Sequence, residues 1–344
     1  MENKYNSYSG KQTAYLDHNI IDFLVKNRNS PFLSELKEDY QVVYSDETLK
    51  EIKRTGDGGS QYLDVLESLE AMYFKILVTS NYQITDQAII IKSNPFIDFD
   101  NYCNNVEPVY EAMEKATAQS LLKFYGGRVG SDFDDINREQ AGSFSHLMNH
   151  ISNHVDEIKD LVPGIEAVIS TYTDKMQSSF NEALAQSATE LRKYIKDELN
   201  YSGVQTYRSH MNVGPMQLNN IEPPNVIEQI WGIYKSIDGY GENGFSIDQF
   251  LGISINPIYN REMFLHEKVT AIYNLLNIIG YHPDSKMKND RRFIAAMSDA
   301  GHATMASFSD VLFSRDAAFI HKTRAAYEYL KVECRVVELI IKDA

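Results

Sequence analysis

The sequence predicts an α/β protein with a central parallel sheet, interrupted by a large all-helical insertion. Three observations predict it. Short apolar runs at 13–17 and 41–44 each pass at once into a helical pattern, and the run at 311–314 near the other end does the same. Strands that alternate with helices in this way build parallel sheets. Between the two ends the texture changes: after the breaker Gly56-Asp57-Gly58-Gly59-Ser60 the chain turns to long, polar, helix-spaced segments.

The elements follow in order. Thr13-Ala14-Tyr15-Leu16 reads as a strand ending in Asp17, and Ile20, Ile21, Phe23 and Leu24 open a helix directly after it. Asp17 and Asn19 also suit the cap of that helix. Pro31 opens a short helix through Lys37. Gln41–Tyr44 is a second strand, and Ser45 to Thr48 start a helix with Leu49 and Ile52 facing inward. Residues 61–77 read as helical, with Leu63, Leu66, Leu69, Met72 and Tyr73 on one face, and 82–102 as irregular. Helices are expected over about 106–125, 134–160 and 164–199, with turns over 201–223 and short helices at 225–237 and 246–251. From Glu262 the α/β texture returns: a helix over 262–280 ended by Gly280, a loop to Asn289, a helix from Asp290 to Phe308, the strand at 311–314, a helix over 316–330 and a last strand over 333–340. The expected organisation is therefore one α/β domain in two parts, 1–59 and 262–344, split by a helical insertion over 60–261.

Composition narrows the class. A chain of 344 residues, 43% hydrophobic, can bury a large core. No apolar run is long enough to span a bilayer and the first residues lack an apolar leader, so no membrane association is expected. Cys103 and Cys334 are the two cysteines; so few argue for a reduced, cytoplasmic location without a disulfide framework. The net charge of -15 argues against broad, nonspecific nucleic-acid binding, since phosphate contact rests on Lys and Arg, but leaves room for a local basic path.

Some motifs have ordinary readings beside functional ones. Asp238–Asp248 resembles a calcium loop only at first sight, because Tyr240 and Asn243 stand where a ligand and the turn glycine belong; it reads as a loop. His146, His150 and His154 recur at helical spacing and suit either zinc or a solvated, partner-facing stripe. Lys286, Lys288, Arg291 and Arg292 form the notable basic segment, and Lys50, Arg54 and Arg315 flank candidate acids; together they suit a phosphate-backbone path or simply exposed faces. The 22 tyrosines suit base stacking as well as packing.

The chemistry is expected from four acids. Asp17 and Asp316 each follow a strand, Glu51 lies on the next α/β unit and Asp299 on a helix; in a parallel sheet such positions can meet at the carboxyl edge, where ligands bind. Carboxylates gathered there stay ionised only beside cations, and oxygen donors suit Mg2+ or Mn2+. The alternative is that Asp17 and Asp316 cap helices while Glu51 and Asp299 pair with nearby bases.

Tyr15-Leu16-Asp17-His18-Asn19 resembles the opening strand of the PIN-domain nucleases, a hydrophobic strand followed by Asp-x-Asn. Ser45 to Glu51 resembles their second motif, Asp299-Ala300-Gly301-His302 the third, and Leu312-Phe313-Ser314-Arg315-Asp316 the fourth, where a hydroxyl residue precedes the acid by two. The resemblance implies a PIN-like α/β/α sandwich and metal-dependent endoribonuclease activity, as in a toxin or a phage-defence effector. It implies Asp17, Glu51, Asp299 and Asp316 as ligands of Mg2+ or Mn2+, Asn19 and Ser314 in support, and RNA as partner. Asp310 is a secondary acid. His302 is expected as a packed or hydrogen-bonded histidine, with a leaving-group contact as the alternative. The insertion departs from the family and is expected to carry substrate choice, oligomerisation or restraint by a protein regulator. The rival functions are a non-catalytic interaction module and a DNA or flap-type nuclease.

Overall fold

The computed structural model describes residues 10–79, 84–155 (backbone alone at 154 and 155), 164–237, 239–256 and 260–340. Two compact units divide them: one holds the residues to Tyr102, Arg208–Ser285 and Ile294 onward, the other Cys103–Tyr207 and Lys286–Phe293.

The first unit is mixed α/β around a six-stranded sheet. Its elements begin with β1 (Gln12–Leu16), α1 (His18–Lys26), α2 (Pro31–Asp39), β2 (Tyr40–Tyr44), α3 (Asp46–Arg54), α4 (Gly59–Ser68), β3 (Met72–Val78), β4 (Ile84–Ile91) and α5 (Pro95–Asn101). The second unit carries α6 (Glu107–Phe124), α7 (Phe133–Val155) and α8 (Ile165–Arg192), and most of α9 (Gly203–Met211). The first unit resumes with α10 (Pro215–Leu218), α11 (Val226–Lys235), α12 (Ile247–Leu251), the small antiparallel pair β5 (Ile255–Asn256) and β6 (Arg261–Glu262), and α13 (Leu265–Ile279). It closes with α14 (Asp290–Ala306), β7 (Val311–Ser314), α15 (Ala317–Leu330) and β8 (Arg335–Glu338).

The strand order is β4-β3-β2-β1-β7-β8. All neighbours pair in parallel except β3 and β4, which pair antiparallel. From β1 the chain runs outward through β2 to β3, whereas β7 and β8 lie on the other side of β1. The order therefore reverses between β1 and β7, which pair through Ala14–Val311, Tyr15–Leu312 and Leu16–Phe313. Such a switch point leaves a crevice at the carboxyl ends of its two strands. Ala14, Tyr15 and Leu16 are all buried, as are Val311, Leu312 and Phe313. Successive strand residues point to opposite faces, so both faces of the sheet are covered at its centre.

Local chemistry explains the helices that frame this edge. In α1, Ile20, Ile21 and Leu24 supply an inward stripe. In α3, Thr48, Leu49 and Ile52 do the same, and the Ser45 backbone N–H donates to Thr48 Oγ1 at 3.3 Å. Helix α13 stops at Gly280, whose φ of 101° an L side chain rarely adopts and whose position would drive a Cβ to 2.7 Å from Pro215 Cδ.

Two expectations of the sequence fail here. Residues 61–77 are not one helix, and the chain after residue 60 is not all helical, because β3 and β4 belong to the main sheet. The leucine spacing of α4 ends where Glu70 takes a left-handed φ of 51° and the Ala71 N–H returns to the Leu66 carbonyl. The run Met72-Tyr73-Phe74-Lys75-Ile76-Leu77-Val78 then follows a β preference that periodicity alone does not separate from a buried helix. Residues 208–256 likewise belong to the first unit.

In the second unit α6 packs on α7 and α7 on α8. Phe144 of α7 stacks on Phe180 of α8 at 4.2 Å between ring centroids, and Gln140 of α7 bonds the Ala116 carbonyl of α6 at 2.7 Å. Lys123 is fully buried, its Nζ donating to the carbonyls of Arg128 and Leu199. The loop expected at 238–248 begins at Asp238, outside the described residues, and continues as turns. Neither Cys103 nor Cys334 forms a disulfide. No helix among the described residues is long and apolar enough to cross a membrane.

Candidate functional site

The β1–β7 crevice gathers polar side chains that the sheet core excludes. Asp17 follows β1 directly and stands at the N-terminal cap position of α1, yet its side chain does not cap that helix. Its Oδ2 instead accepts hydrogen bonds from Ser314 Oγ and Asn19 Nδ2, both at 2.5 Å. Asn19 Nδ2 also reaches Ser314 Oγ at 3.1 Å, and Asn19 Oδ1 accepts from the Arg315 N–H at 3.0 Å. One amide thus ties the start of α1 to the end of β7. The Asp17 N–H donates to the Phe313 carbonyl, which holds the two strand ends in step.

Glu51 and His302 complete the centre. A donor atom from each of Asp17, Glu51 and His302 lies within 4.8 Å of the others. This is the only grouping of three or more such side chains among the described residues. His302 Nε2 lies 3.0 Å from Glu51 Oε2, and His302 Nδ1 lies 2.9 Å from the Tyr15 hydroxyl. Tyr15 in turn meets Ser45 Oγ at 2.7 Å. Both His302 and Tyr15 are fully buried, so the imidazole is held in a fixed orientation. His18 Nδ1 lies 3.6 Å from the same Glu51 oxygen and is buried without a hydrogen-bond partner. The His18 ring stacks on Tyr62, centroids 5.0 Å apart.

Asp299 and His302 share one face of α14, three residues apart. Asp299 is half-buried, and no hydrogen bond or ion pair meets its carboxylate among the described residues. Gly301 between them lets α14 approach Glu47 of α3: a Cβ there would meet Glu47 Cδ at 2.6 Å. Ser298 also donates to Glu47, at 3.3 Å.

The electrostatics reflect acids removed from water. Burial pushes the Asp17 carboxyl up to about 6, with Glu51 adding to the rise while His302 and the Ser314 hydroxyl oppose it. Desolvation, then the charges of Asp17, Asp284 and Glu51, push Asp299 well above the carboxylate range. Burial acts on Glu51 in the same sense, but the charge and hydrogen bond of His302 outweigh it and hold Glu51 at about 2. Burial alone would lower His302; Tyr15 and the Glu51 carboxylate outweigh it and raise the imidazole well above its ordinary value. His18 is lowered, chiefly by burial.

A buried cation stands beside this group. Lys322 of α15 is fully buried, with Nζ 2.6 Å from Asp284 Oδ1, 2.9 Å from Asn277 Oδ1 and 4.6 Å from the Tyr273 ring centroid. Its ion-pair partner is Asp284, not Asp299.

The other expected residues are placed less centrally. Asp316 is exposed and caps α15, accepting from the Phe319 N–H at 2.9 Å; its charge adds to the rise of Asp17. Asp310 does not join the site. It precedes β7 and accepts from the Thr13 N–H at 2.7 Å and the Thr13 hydroxyl at 2.8 Å, stapling the amino ends of β1 and β7 a strand's length from Asp17. Arg315 is exposed, its guanidinium 5.5 Å from the Phe23 ring centroid. Arg54 is exposed and its charge reaches Glu51, while Lys50 is half-buried. Lys286, Lys288, Arg291 and Arg292 are exposed but belong to the second unit, not to the unit that holds the four acids. His146 is exposed in a groove between α6 and α7 lined also by Lys115 and Glu139; the His154 side chain lies outside the described residues.

Sequence reading missed Tyr15 as a hydroxyl partner, His18, Asp284 and Lys322. Lys322 had one signal: it sits among the inward positions Phe319, Ile320, Thr323 and Ala326 of α15. Lysine is so seldom fully buried without a partner that its place in an apolar pattern was informative.

The donor set fits a divalent cation. Among the described residues Asp17 Oδ1 receives no hydrogen bond, the Asp299 carboxylate has no hydrogen-bond or ion-pair partner, and His18 Nδ1 has no hydrogen bond beside Glu51. No family model, no curated protein and no solved structure matches this chain.

Proposed function

We propose that the protein is a metal-dependent phosphodiester hydrolase with RNA as substrate, built on a PIN-like α/β/α sandwich. One observation carries the reading. Asp17 and Glu51, from the first strand–helix units, reach within 4.8 Å of His302 at the carboxyl edge of a parallel sheet, and Asp299 lies close enough to feel both charges. None of the four acids expected from the sequence forms an ion pair with Lys or Arg among the described residues. That favours a cation site over a network of structural ion pairs.

Asp17 and Glu51 would hold Mg2+ or Mn2+ directly, with Asp299 and, at the outer edge, Asp316 acting through water. A divalent ion there would supply a more acidic water and offset the charge that gathers on the leaving oxygen. Asn19 and Ser314 fix the carboxylate plane of Asp17, so the acid does not need to reorganise when substrate arrives. Arg315 and Arg54, both exposed near this edge, are suited to the phosphates that flank the scissile bond. The second unit is suited to substrate choice or to a regulator, and a toxin or defence role remains part of the proposal.

The Glu51–His302 pair favours the second reading, a non-catalytic interaction module, because it satisfies Glu51 without a metal ion. Cleavage of a mixed RNA and DNA panel with Mn2+ or with EDTA decides between them. Wild type should cut RNA only with the metal, and Asp17→Asn should not cut although it folds. Equal cleavage by wild type and Asp17→Asn would sink the hydrolase reading, and cutting of DNA alone would replace the substrate.

A further inference from the structure

The geometry points to a mixed nitrogen–oxygen metal centre in which His302 Nε2 is itself a ligand beside Asp17 and Glu51, so that the site selects a first-row transition ion over Mg2+. The inference rests on the metal-dependent reading above and deepens it by naming the class of ion.

Two donors bound at about 2.1 Å and a right angle to each other lie about 3.0 Å apart. His302 Nε2 and Glu51 Oε2 stand at 3.0 Å. In the metal-free chain a proton bridges them; on binding, the ion takes its place and the proton leaves to solvent. The far side of the ring is already arranged for this. A ligating imidazole hands its other N–H to an oxygen, which fixes the tautomer. Here Nδ1 faces the Tyr15 hydroxyl at 2.9 Å, and that hydroxyl has Ser45 Oγ at 2.7 Å to receive its own proton.

The spacing on α14 agrees. Asp299 and His302 are an acid and a histidine at i and i+3, the arrangement by which one helix presents both donor types to a single metal cluster. His18 provides a further sign: its Nδ1 is buried, without a hydrogen-bond partner and 3.6 Å from the Glu51 oxygen, so a second imidazole faces the same carboxylate.

Ion choice follows from donor chemistry and room. Imidazole suits first-row transition ions such as Fe2+ and Zn2+, whereas Mg2+ prefers oxygen donors; Mn2+, itself more oxygen-preferring than those ions, serves as the spectroscopic stand-in. Mg2+ also sheds water reluctantly and keeps several waters when bound. Asp17 is 5% exposed and His302 not at all, which leaves little space for that hydration shell.

The test uses the full chain stripped of metal and loaded with Mn2+, read by electron spin-echo modulation. Nitrogen modulation is expected in the wild type and should change frequency when histidine is labelled with 15N, a measurement that needs no mutation. His302→Gln should abolish it and His18→Gln should keep it. Titration calorimetry should show Mn2+ held tighter than Mg2+, and Tyr15→Phe should weaken Mn2+ by roughly 10-fold, the cost of losing an outer partner of a ligand. Mn2+ bound with oxygen couplings alone overturns the inference and leaves the hydrolase reading standing. Nitrogen modulation lost in His18→Gln and kept in His302→Gln overturns the choice of ligand. Absence of Mn2+ binding in the wild type overturns both readings.

Discussion

The Ser314 hydroxyl donates to Asp17 Oδ2 at 2.5 Å, joining residues 297 positions apart at the carboxyl ends of β7 and β1. Asn19 donates to the same oxygen, so two donors hold one carboxylate. Ser314→Ala leaves a buried acceptor short of a donor and should lower stability by about 1–3 kcal/mol. Because Asn19 also contacts Ser314, the Asn19→Ala and Ser314→Ala losses should couple by ~0.5–3 kcal/mol in a double-mutant cycle followed by urea unfolding. Additive losses would show that the two donors act apart.

Asp316 separates capping from chemistry. Asparagine caps a helix about as well as aspartate, whereas alanine costs about 1 kcal/mol. Asp316→Asn should therefore unfold at the wild-type urea concentration and Asp316→Ala below it. Its carboxylate is exposed and engaged with the start of α15, so Asp316→Asn should also cost less cleavage than Asp299→Asn. The reverse order of activities would place Asp316 at the centre and Asp299 outside it.

Asp17 and Glu51 were legible in the sequence because each acid follows a short strand by a set distance, and a parallel sheet turns that distance into a common edge. The strand β7 and the helix break at Gly280 were legible for similar reasons: a short apolar run, and a residue that tolerates positive φ. What periodicity could not carry were the partners. That Asp17 leaves α1 uncapped while Asp316 caps α15 depends on Ser314 and Asn19 standing opposite Asp17, a tertiary fact. Asp310 was expected only as a secondary acid, and because it precedes β7 it lies at the amino end of that strand, opposite the edge that holds Asp17. β3 was hidden because its apolar run follows α4 closely, where periodicity does not separate a strand from a buried helix, and β4 fell in the stretch 82–102 that was expected to be irregular. His302 was expected as a packed or hydrogen-bonded histidine, and the structure shows a fully buried ring with both nitrogens engaged.

Lys322 is buried with Asp284 as its ion-pair partner. Removing one member of a buried pair leaves the other uncompensated and costs about 3–5 kcal/mol. Lys322→Met should therefore destabilise the chain strongly, and Lys322→Met combined with Asp284→Asn should recover much of the loss. A single variant that unfolds at the wild-type denaturant midpoint would mean that Asp284 reaches water in the folded chain.

The sign of the pH dependence follows from Asp17. Its folded-state value of about 6 stands above the ordinary 3.8, so ionisation is easier in the unfolded chain. The associated stability is full below 3.8 and is lost as pH rises through 6; the whole effect is about 3 kcal/mol, with ~1–2 kcal/mol of it between pH 5 and 7.5. Asp299, also raised, and His302, whose unfolded form loses its proton first above 6.5, act in the same sense. His18, lowered, opposes them below 6.5, and Glu51 at about 2 is ionised in both states across this window. The metal-free protein should thus melt higher at pH 5 than at pH 7.5, and Asp17→Asn should shrink that difference. A divalent ion favours the ionised acids and should reverse the trend, raising the melting temperature more at pH 7.5 than at pH 5. Calorimetric scans at the two pH values, with EDTA and with Mn2+, check both signs; a wild type more stable at pH 7.5 than at pH 5 in EDTA would show that Asp17 ionises in the folded chain without the cost its burial implies.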